Sequence, residues 1–157
     1  FLAARVDLVL HLGDDYLDIL FFEAANLQVV AVPGLYCPEY RDPTIPNRRI
    51  ENLAGVNILM AHTPEATKFD VPGDLNPAAD FSQVDIVLYG HTHVPSLQEQ
   101  DGVLWVNPGH LKAHDRRGYP LSYALMRLAP PEVQVQILTL GSQQVLHATT
   151  FTLRRGS

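Results

Sequence analysis

Two histidines, His91 and His93, stand in a Gly-His-Thr-His sequence directly behind an apolar run. The run, residues 84–89, has the length of a buried strand, and Gly90 marks the point where it passes into a loop. Open α/β sheets place their chemistry in loops at the carboxyl ends of strands. Two imidazoles in such a loop can bind one or two metal ions. The pair alone is also typical of two surface histidines in a turn, so its interpretation depends on the residues that join it.

Three other apolar runs also end in polar or turn residues. They are residues 6–12 before Asp14, residues 28–32 before Gly34, and residues 56–61 before His62. Because the carboxyl ends of parallel strands lie along one edge of a sheet, we expect these residues to meet the histidine pair in space. A carboxylate with several imidazoles suits manganese, iron, zinc or nickel. A carboxylate can also bridge two ions through its two oxygens, which is the geometry of two-metal phosphoester displacement.

The elements that position these residues change in character along the chain. The first half predicts a parallel strand–helix–strand unit with its helix at residues 16–25, then a hairpin and the strand at 84–89. The second half alternates apolar and polar residues, which predicts antiparallel strands separated by short turns. These are a hairpin at residues 98–106 and strands at residues 123–128, 133–140 and 145–153. Parallel elements followed by antiparallel ones indicate an α/β fold of two packed sheets with helices outside.

Composition limits the function classes. The 157 residues carry a net charge of −6 and one cysteine, and no apolar stretch has the length of a membrane span. The acidic balance disfavours nucleic-acid binding, which depends on neutralising phosphates with lysine and arginine. One cysteine forms no internal disulfide, and we expect a soluble cytoplasmic protein. A homodimer is expected because it is the commonest soluble assembly.

The ordered motifs resemble those of a known family. Gly13-Asp14, His62, Gly90-His91-Thr92-His93 and Asn107-Pro108-Gly109 match, in order and spacing, the calcineurin-like metallophosphoesterases. The chain is most similar to the small bacterial and archaeal phosphodiesterase type, which the retromer subunit of the same fold also resembles. The resemblance implies a four-layer α/β/β/α sandwich of two packed mixed sheets. It also implies hydrolysis of a small phosphate ester, as a phosphodiesterase or phosphatase, by a two-metal, metal-hydroxide mechanism.

The resemblance assigns metal-binding roles to four residues. Asp14 is similar to the family's bridging carboxylate, His62 and His91 to ligands of the second metal, and His93 to a ligand of the first. His62 and His91 are therefore also the expected catalytic residues. The implied cofactors are two divalent transition metal ions, with manganese, nickel, zinc and iron as the candidates.

The turn after the second hairpin supplies the expected substrate contacts. Asn107 and Gly109 are similar to the turn that closes the family's site, and His110 stands where the family usually has serine. The charged sequence at residues 114–117 is typical of a solvated loop. A contact of its arginines with a substrate phosphate is the alternative, because arginine binds phosphate in a bidentate manner.

The chain departs from the family at two places. The family begins with a strand ending in Asp-x-His and then a helix, whereas residues 1–5 are typical of the end of a helix. We therefore expect residues 1–157 to be one metallophosphoesterase domain, N-terminally incomplete, that lacks the first strand and part of the first helix. Leu35 replaces the family's asparagine ligand and Cys37 the acidic residue that follows. Tyr36 or Cys37 could replace the lost ligand, since a thiolate binds zinc well, and the alternative for Cys37 is an inert, buried thiol.

These departures favour a second hypothesis. In it the chain is a catalytically impaired scaffold of the same fold that acts through protein contacts. Against it, a scaffold has no physical need for one aspartate and three histidines at strand ends. The metal content after dialysis distinguishes the two hypotheses: about two ions per chain support catalysis, and none supports the scaffold.

Overall fold

The computed structural model describes residues 6–70 and 81–154. It begins with the predicted parallel unit: β1 (Val9–His11), α1 (Ile19–Ala24) and β2 (Val29–Ala31). β1 and β2 pair in parallel, which confirms the predicted strand–helix–strand order. The helix follows a 3₁₀ turn, Tyr16–Asp18, whose start is capped by Asp15 accepting the Leu17 N–H at 3.1 Å. The predicted helix at residues 1–5 and part of the predicted loop at residues 68–80 lie outside the described residues.

A five-stranded sheet forms the centre of the fold. Its strands are β3 (Arg48–Leu53), β4 (Val56–Ala61), β5 (Ile86–Tyr89), β6 (Ser96–Gln100) and β7 (Val103–Asn107). The order across the sheet is β3-β4-β5-β7-β6, with β4, β5 and β7 parallel and the two edge strands antiparallel. β4 and β5 are apolar at nearly every position because both faces of the sheet are covered. The parallel strands direct their carboxyl ends to one edge, where His62, Gly90 and Asn107 lie.

The last three strands form the predicted antiparallel meander. They are β8 (Ser122–Ala129), β9 (Glu132–Thr139) and β10 (Val145–Thr152), in the order β10-β9-β8. Val133, Val135 and Ile137 of β9 are fully buried, whereas the residues between them are exposed. These three share one apolar core with the central sheet, including Ile58 and Ile86. The mixed α/β class and the packing of sheets against one another are therefore confirmed.

Helical structure is sparse in the part of the chain that the structure describes. It comprises α1, with six residues, and three short 3₁₀ turns. None of these helices is long and apolar enough to cross a membrane.

A wide cleft separates the two-stranded sheet from the meander. Within residues 6–70 and 81–154, β1 pairs only with β2, and β8 pairs only with β9. The space between β1 and β8 has a volume of about 1870 Å³, and it extends to His62, His91 and His93. The expected first strand, and with it the domain description 1–157, stays a prediction.

Candidate metal centre

Three loops approach one another closely where β1, β2 and β4 end. Asp14 follows β1 with a left-handed backbone (φ 70°) behind Gly13 (φ 98°). A Cβ atom at Gly13 would lie 2.5 Å from Nδ1 of His62, and one at Gly34 would lie 2.6 Å from the backbone N and O of Asp14. Only glycine fits at these two positions, because a Cβ at Gly34 would press on the Asp14 backbone, and one at Gly13 would press on the buried His62 ring and the Gly34 backbone. The glycines thereby allow Asp14 to approach His62.

The Gly-His-Thr-His loop is held in a strained conformation. His91 and His93 both have positive φ, 61° and 60°, and each non-glycine residue in this region costs about 1–2 kcal/mol. The fully buried Asn107 at the end of β7 stabilises the loop by donating from Nδ2 to the Gly90 carbonyl (3.0 Å) and to Thr92 Oγ1 (2.8 Å). Its Oδ1 accepts the Gly109 N–H at 2.9 Å. All polar atoms of the Asn107 side chain thus have protein partners, and its substrate-binding role stays a prediction.

His62 is almost completely buried and has a defined tautomer. Its Nδ1 lies 2.7 Å from the Leu12 carbonyl oxygen, which can only accept, so Nδ1–H donates and Nε2 carries the lone pair. Burial lowers the pKa of His62 below its ordinary value, although the Leu12 carbonyl and the Asp14 carboxylate act in the opposite direction. A neutral imidazole with a free Nε2 is the form that binds metal ions.

The four predicted ligands lie together at this edge of the sheet. Asp14 directs one carboxylate oxygen toward each side: Oδ1 lies 3.8 Å from His62 Nε2, and Oδ2 lies 2.8 Å from His93 Nε2. His91 Nδ1 lies 3.2 Å from His62 Nε2 on the first of these sides. The aspartate therefore stands between an imidazole pair and a single imidazole, which is the arrangement of a carboxylate that bridges two sites.

These spacings fit metal binding. Two atoms bound to one ion at about 2.1 Å lie about 3.0 Å apart in octahedral geometry and about 3.4 Å apart in tetrahedral geometry. The 3.2 Å between His62 and His91 lies between these two values. The 2.8 Å between His93 and Asp14 is slightly shorter and the 3.8 Å between His62 and Asp14 slightly longer, so these two pairs would adjust by a few tenths of an ångström to share an ion. Asp14 is also more than one third exposed, so an ion can reach it from the cleft. The donor set suits divalent transition metals.

Two residues surround His93 on its other sides. The His110 ring stacks on it at 5.1 Å between centroids, and its Nε2 lies 3.2 Å from the Tyr119 carbonyl oxygen. Nδ1 of His110 is buried and has no hydrogen-bond partner among the described residues. His110 therefore lies beside the predicted ligands, and its role toward substrate stays a prediction.

Asp115 is a residue of this site that the sequence reasoning missed. It lies in the charged loop expected to be solvated, yet its side chain is only 6% exposed and its Oδ2 lies 2.5 Å from His93 Nδ1. The hydrogen bonds from His93 and from the Arg117 N–H lower the pKa of Asp115 to about 2. His93, His110 and Asp115 have ligand-type atoms within 4.8 Å of one another. An aspartate in a polar loop gives no sequence signal for such a contact.

The turn after β2 contributes a contact through Cys37. Its Sγ donates to the Asp14 carbonyl oxygen at 2.8 Å, which favours an inert, hydrogen-bonded thiol over a thiolate ligand. Tyr36 is 88% exposed, and its ring lies 6.3 Å from that of His91. Leu35 has no side-chain atom that can bind a metal.

Comparison with known proteins decides the family. The model of the calcineurin-like phosphoesterase superfamily domain matches residues 1–129. The chain belongs to the calcineurin-like phosphoesterase superfamily. No curated protein sequence matches it.

Solved structures of other superfamily members share the fold of this calcineurin-like protein. Vps29 from Chaetomium thermophilum is 16% identical with a TM-score of 0.72, over 96% of this chain and 82% of that one. The phosphoesterase YfcE from E. coli is 20% identical with a TM-score of 0.66, over 97% and 88%. Vps29 from Entamoeba histolytica, in complex with Zn²⁺, is 20% identical with a TM-score of 0.59, over 94% and 83%. At these identities the likeness shows the fold.

Proposed function

We propose that this chain is a divalent-metal-dependent phosphoesterase that hydrolyses a small phosphate ester, a phosphodiester or a phosphomonoester. The observation that carries the proposal is the position of Asp14, with one oxygen toward the His62–His91 pair and the other toward His93. Family membership supports the reaction class. The structure of a Vps29 in complex with Zn²⁺ supports metal binding by this fold.

The residues of this chain have separate tasks in such a reaction. His62 and His91 would hold one ion, His93 the other, and Asp14 both. When bound, manganese, nickel, zinc or iron supplies Lewis acidity toward a phosphoryl oxygen and activates water for attack. The buried Asn107 keeps the histidine loop in place, and the His62 contact with Leu12 keeps Nε2 free of a proton. Asp14, more than one third exposed, leaves this side of the site open to an ester.

The proposal is tested by hydrolysis of bis(p-nitrophenyl) phosphate and p-nitrophenyl phosphate with the metal-stripped full chain. We expect turnover only after manganese, nickel, zinc or iron is added, and the preferred ester shows whether the enzyme is a diesterase. His91→Ala should lower the rate by about 100-fold or more, because loss of a ligand displaces reacting groups by at least the ~1 Å that has this effect. His147→Ala, an exposed histidine of β10, is the matched control. No turnover with any of these ions would overturn the proposal.

A scaffold role is the second candidate, because α1 and the turn before it expose a patch of large apolar side chains. Leu17, Leu20 and Phe21 are 55%, 56% and 76% exposed, and apolar patches of this kind are typical of protein–protein contact sites. The absence of a donor in the Leu35 side chain agrees with it. A chain that retains no metal after dialysis and hydrolyses neither ester favours this candidate, with a protein partner or a second copy as the ligand.

A further inference from the structure

His93 stands between two carboxylates, one on each ring nitrogen. Its Nε2 lies 2.8 Å from Asp14 Oδ2, and its Nδ1 lies 2.5 Å from Asp115 Oδ2. The side chains of His93 and Asp115 are 8% and 6% exposed. The contact on the Nδ1 side is therefore shielded from water, whereas Asp14 faces the cleft.

The contact between His93 and Asp115 has the geometry of a hydrogen bond. Its length, 2.5 Å, is shorter than the about 3.0–3.4 Å expected for two atoms that bind one ion. A carboxylate can only accept, so Nδ1 of His93 carries a hydrogen toward Asp115. Nε2 faces the Asp14 carboxylate on the exposed side, and there an ion would take the place of a hydrogen. The other oxygen of Asp115 accepts the Arg117 N–H at 2.7 Å, which fixes the carboxylate to its own loop. These facts disfavour a shared ion held by His93, His110 and Asp115.

We propose that Asp115 is a positioning residue that accepts the Nδ1–H of His93 and thereby directs Nε2 of that ring toward the ion held with Asp14. Metal-binding histidines commonly donate their second ring nitrogen to a carboxylate, which fixes the tautomer and raises the basicity of the binding nitrogen. The stacked His110 ring, inclined by 25°, restricts rotation of His93 from its face. This inference rests on the proposed function, because it assumes that His93 binds an ion.

The residues of the charged loop, 114–117, therefore have different roles. Asp115 turns inward onto His93, whereas His114 and Arg117 are exposed. Asp115 thus acts on the metal centre through the ligand His93 and does not act on the substrate. Substitution of the exposed Arg116, the next residue of the loop, should therefore leave metal affinity unchanged.

The test uses the full chain and zinc, a diamagnetic ion, as the probe. Zinc affinity is measured by competition with a chelating dye, and the ring nitrogens of His93 are observed by ¹H–¹⁵N NMR. In the wild-type chain we expect zinc on Nε2 and a protected, downfield Nδ1–H. Asp115→Ala should abolish that proton signal and weaken zinc binding by about 10- to 100-fold. Asp115→Asn, whose amide oxygen still accepts, should restore the signal and part of the affinity, and Arg116→Ala, at an exposed neighbouring residue, should match the wild type.

Each other outcome has a defined meaning. Zinc on Nδ1 of His93, or an unchanged affinity in Asp115→Ala, would overturn the positioning role. Loss of one bound ion in both Asp115 variants would show instead that Asp115 is itself a ligand, which also overturns it. If the wild-type chain binds no zinc, the proposed function fails. The Nδ1–H signal of the metal-free chain then decides by itself whether Asp115 holds the ring.

Discussion

Replacing Gly34 with alanine is the sharpest perturbation of the site, because Gly34 contacts Asp14 through backbone alone. The new Cβ would lie 2.6 Å from the Asp14 N and O atoms, whereas ordinary contacts begin at 3.4 Å. The Asp14 loop would therefore have to move by about 0.8 Å, which exceeds the about 0.5 Å within which a functional site must be held. We expect Asp14 to lose its position between His62 and His93.

The expected magnitudes follow from this displacement. Overpacking at a close backbone contact costs about 1–3 kcal/mol of unfolding free energy, and for a chain of this length about 2 kcal/mol lowers Tm by about 4–8 °C. A shift near 1 Å lowers turnover by about 100-fold. Tm is measured by circular dichroism, and zinc affinity and ester hydrolysis are measured on the same Gly34→Ala preparation.

Gly55→Ala is the matched control. Gly55 has a positive φ of 81° and nothing within 4 Å of the added Cβ, so alanine there costs about 1–2 kcal/mol of backbone strain without touching the site. It should lower Tm and leave zinc affinity unchanged. Wild-type zinc affinity in Gly34→Ala would show that this glycine contact does not position Asp14.

Three further predictions concern the support of the site. Asp70→Ala should lower the unfolding free energy in urea denaturation by about 3 kcal/mol, because the buried Arg48, 4% exposed, loses its 2.9 Å ion pair. A loss below about 1 kcal/mol would contradict this prediction. Burial acts to raise the pKa of Asp70, but hydrogen bonds from Tyr40 and Arg48 outweigh it and hold that pKa below its usual value. The stabilisation from ionised Asp70 is complete above the unfolded-state pKa of about 4 and is lost as pH falls through the lower folded-state pKa. Below pH ~4 the unfolding free energy of the wild type should therefore fall more steeply with decreasing pH than that of Asp70→Asn. Parallel curves for the two proteins would contradict this prediction. Asn107→Ala leaves the Gly90 carbonyl and other loop groups without their Asn107 partner. It should lower the unfolding free energy in urea denaturation by about 2–4 kcal/mol and broaden the NMR signals of His91. Unchanged His91 signals would show that the loop does not depend on Asn107.

The gathering of the ligands was predictable because it follows from topology. Residues at the carboxyl ends of parallel strands share an edge wherever the strands lie in the sequence. β4 and β5 are parallel, and their apolar composition identified them as buried strands. This is why His62 and the His91–His93 loop lie together although they are 29 residues apart. The antiparallel meander was equally readable from the alternation in β9.

The contacts that orient the ligands were not predictable in this way. Asp115 reaches His93 through a loop without regular structure, so no period or strand end marks it. The left-handed backbone at Asp14 and His91 depends on close approaches between loops that are distant in sequence. The tautomer of His62 depends on the Leu12 carbonyl, a backbone group that no side-chain pattern reveals.

The number of ions that single-histidine variants retain shows whether Asp14 joins two metal sites. The chain is loaded with zinc, dialysed, and its metal content is measured by mass spectrometry. Under the proposal that Asp14 bridges two ions, the wild type should retain about two ions per chain, and His91→Ala and His93→Ala should each retain about one. His147→Ala should match the wild type. A wild-type chain that retains fewer than two ions, or variants that retain as many ions as the wild type, would show that Asp14 does not bridge two ions.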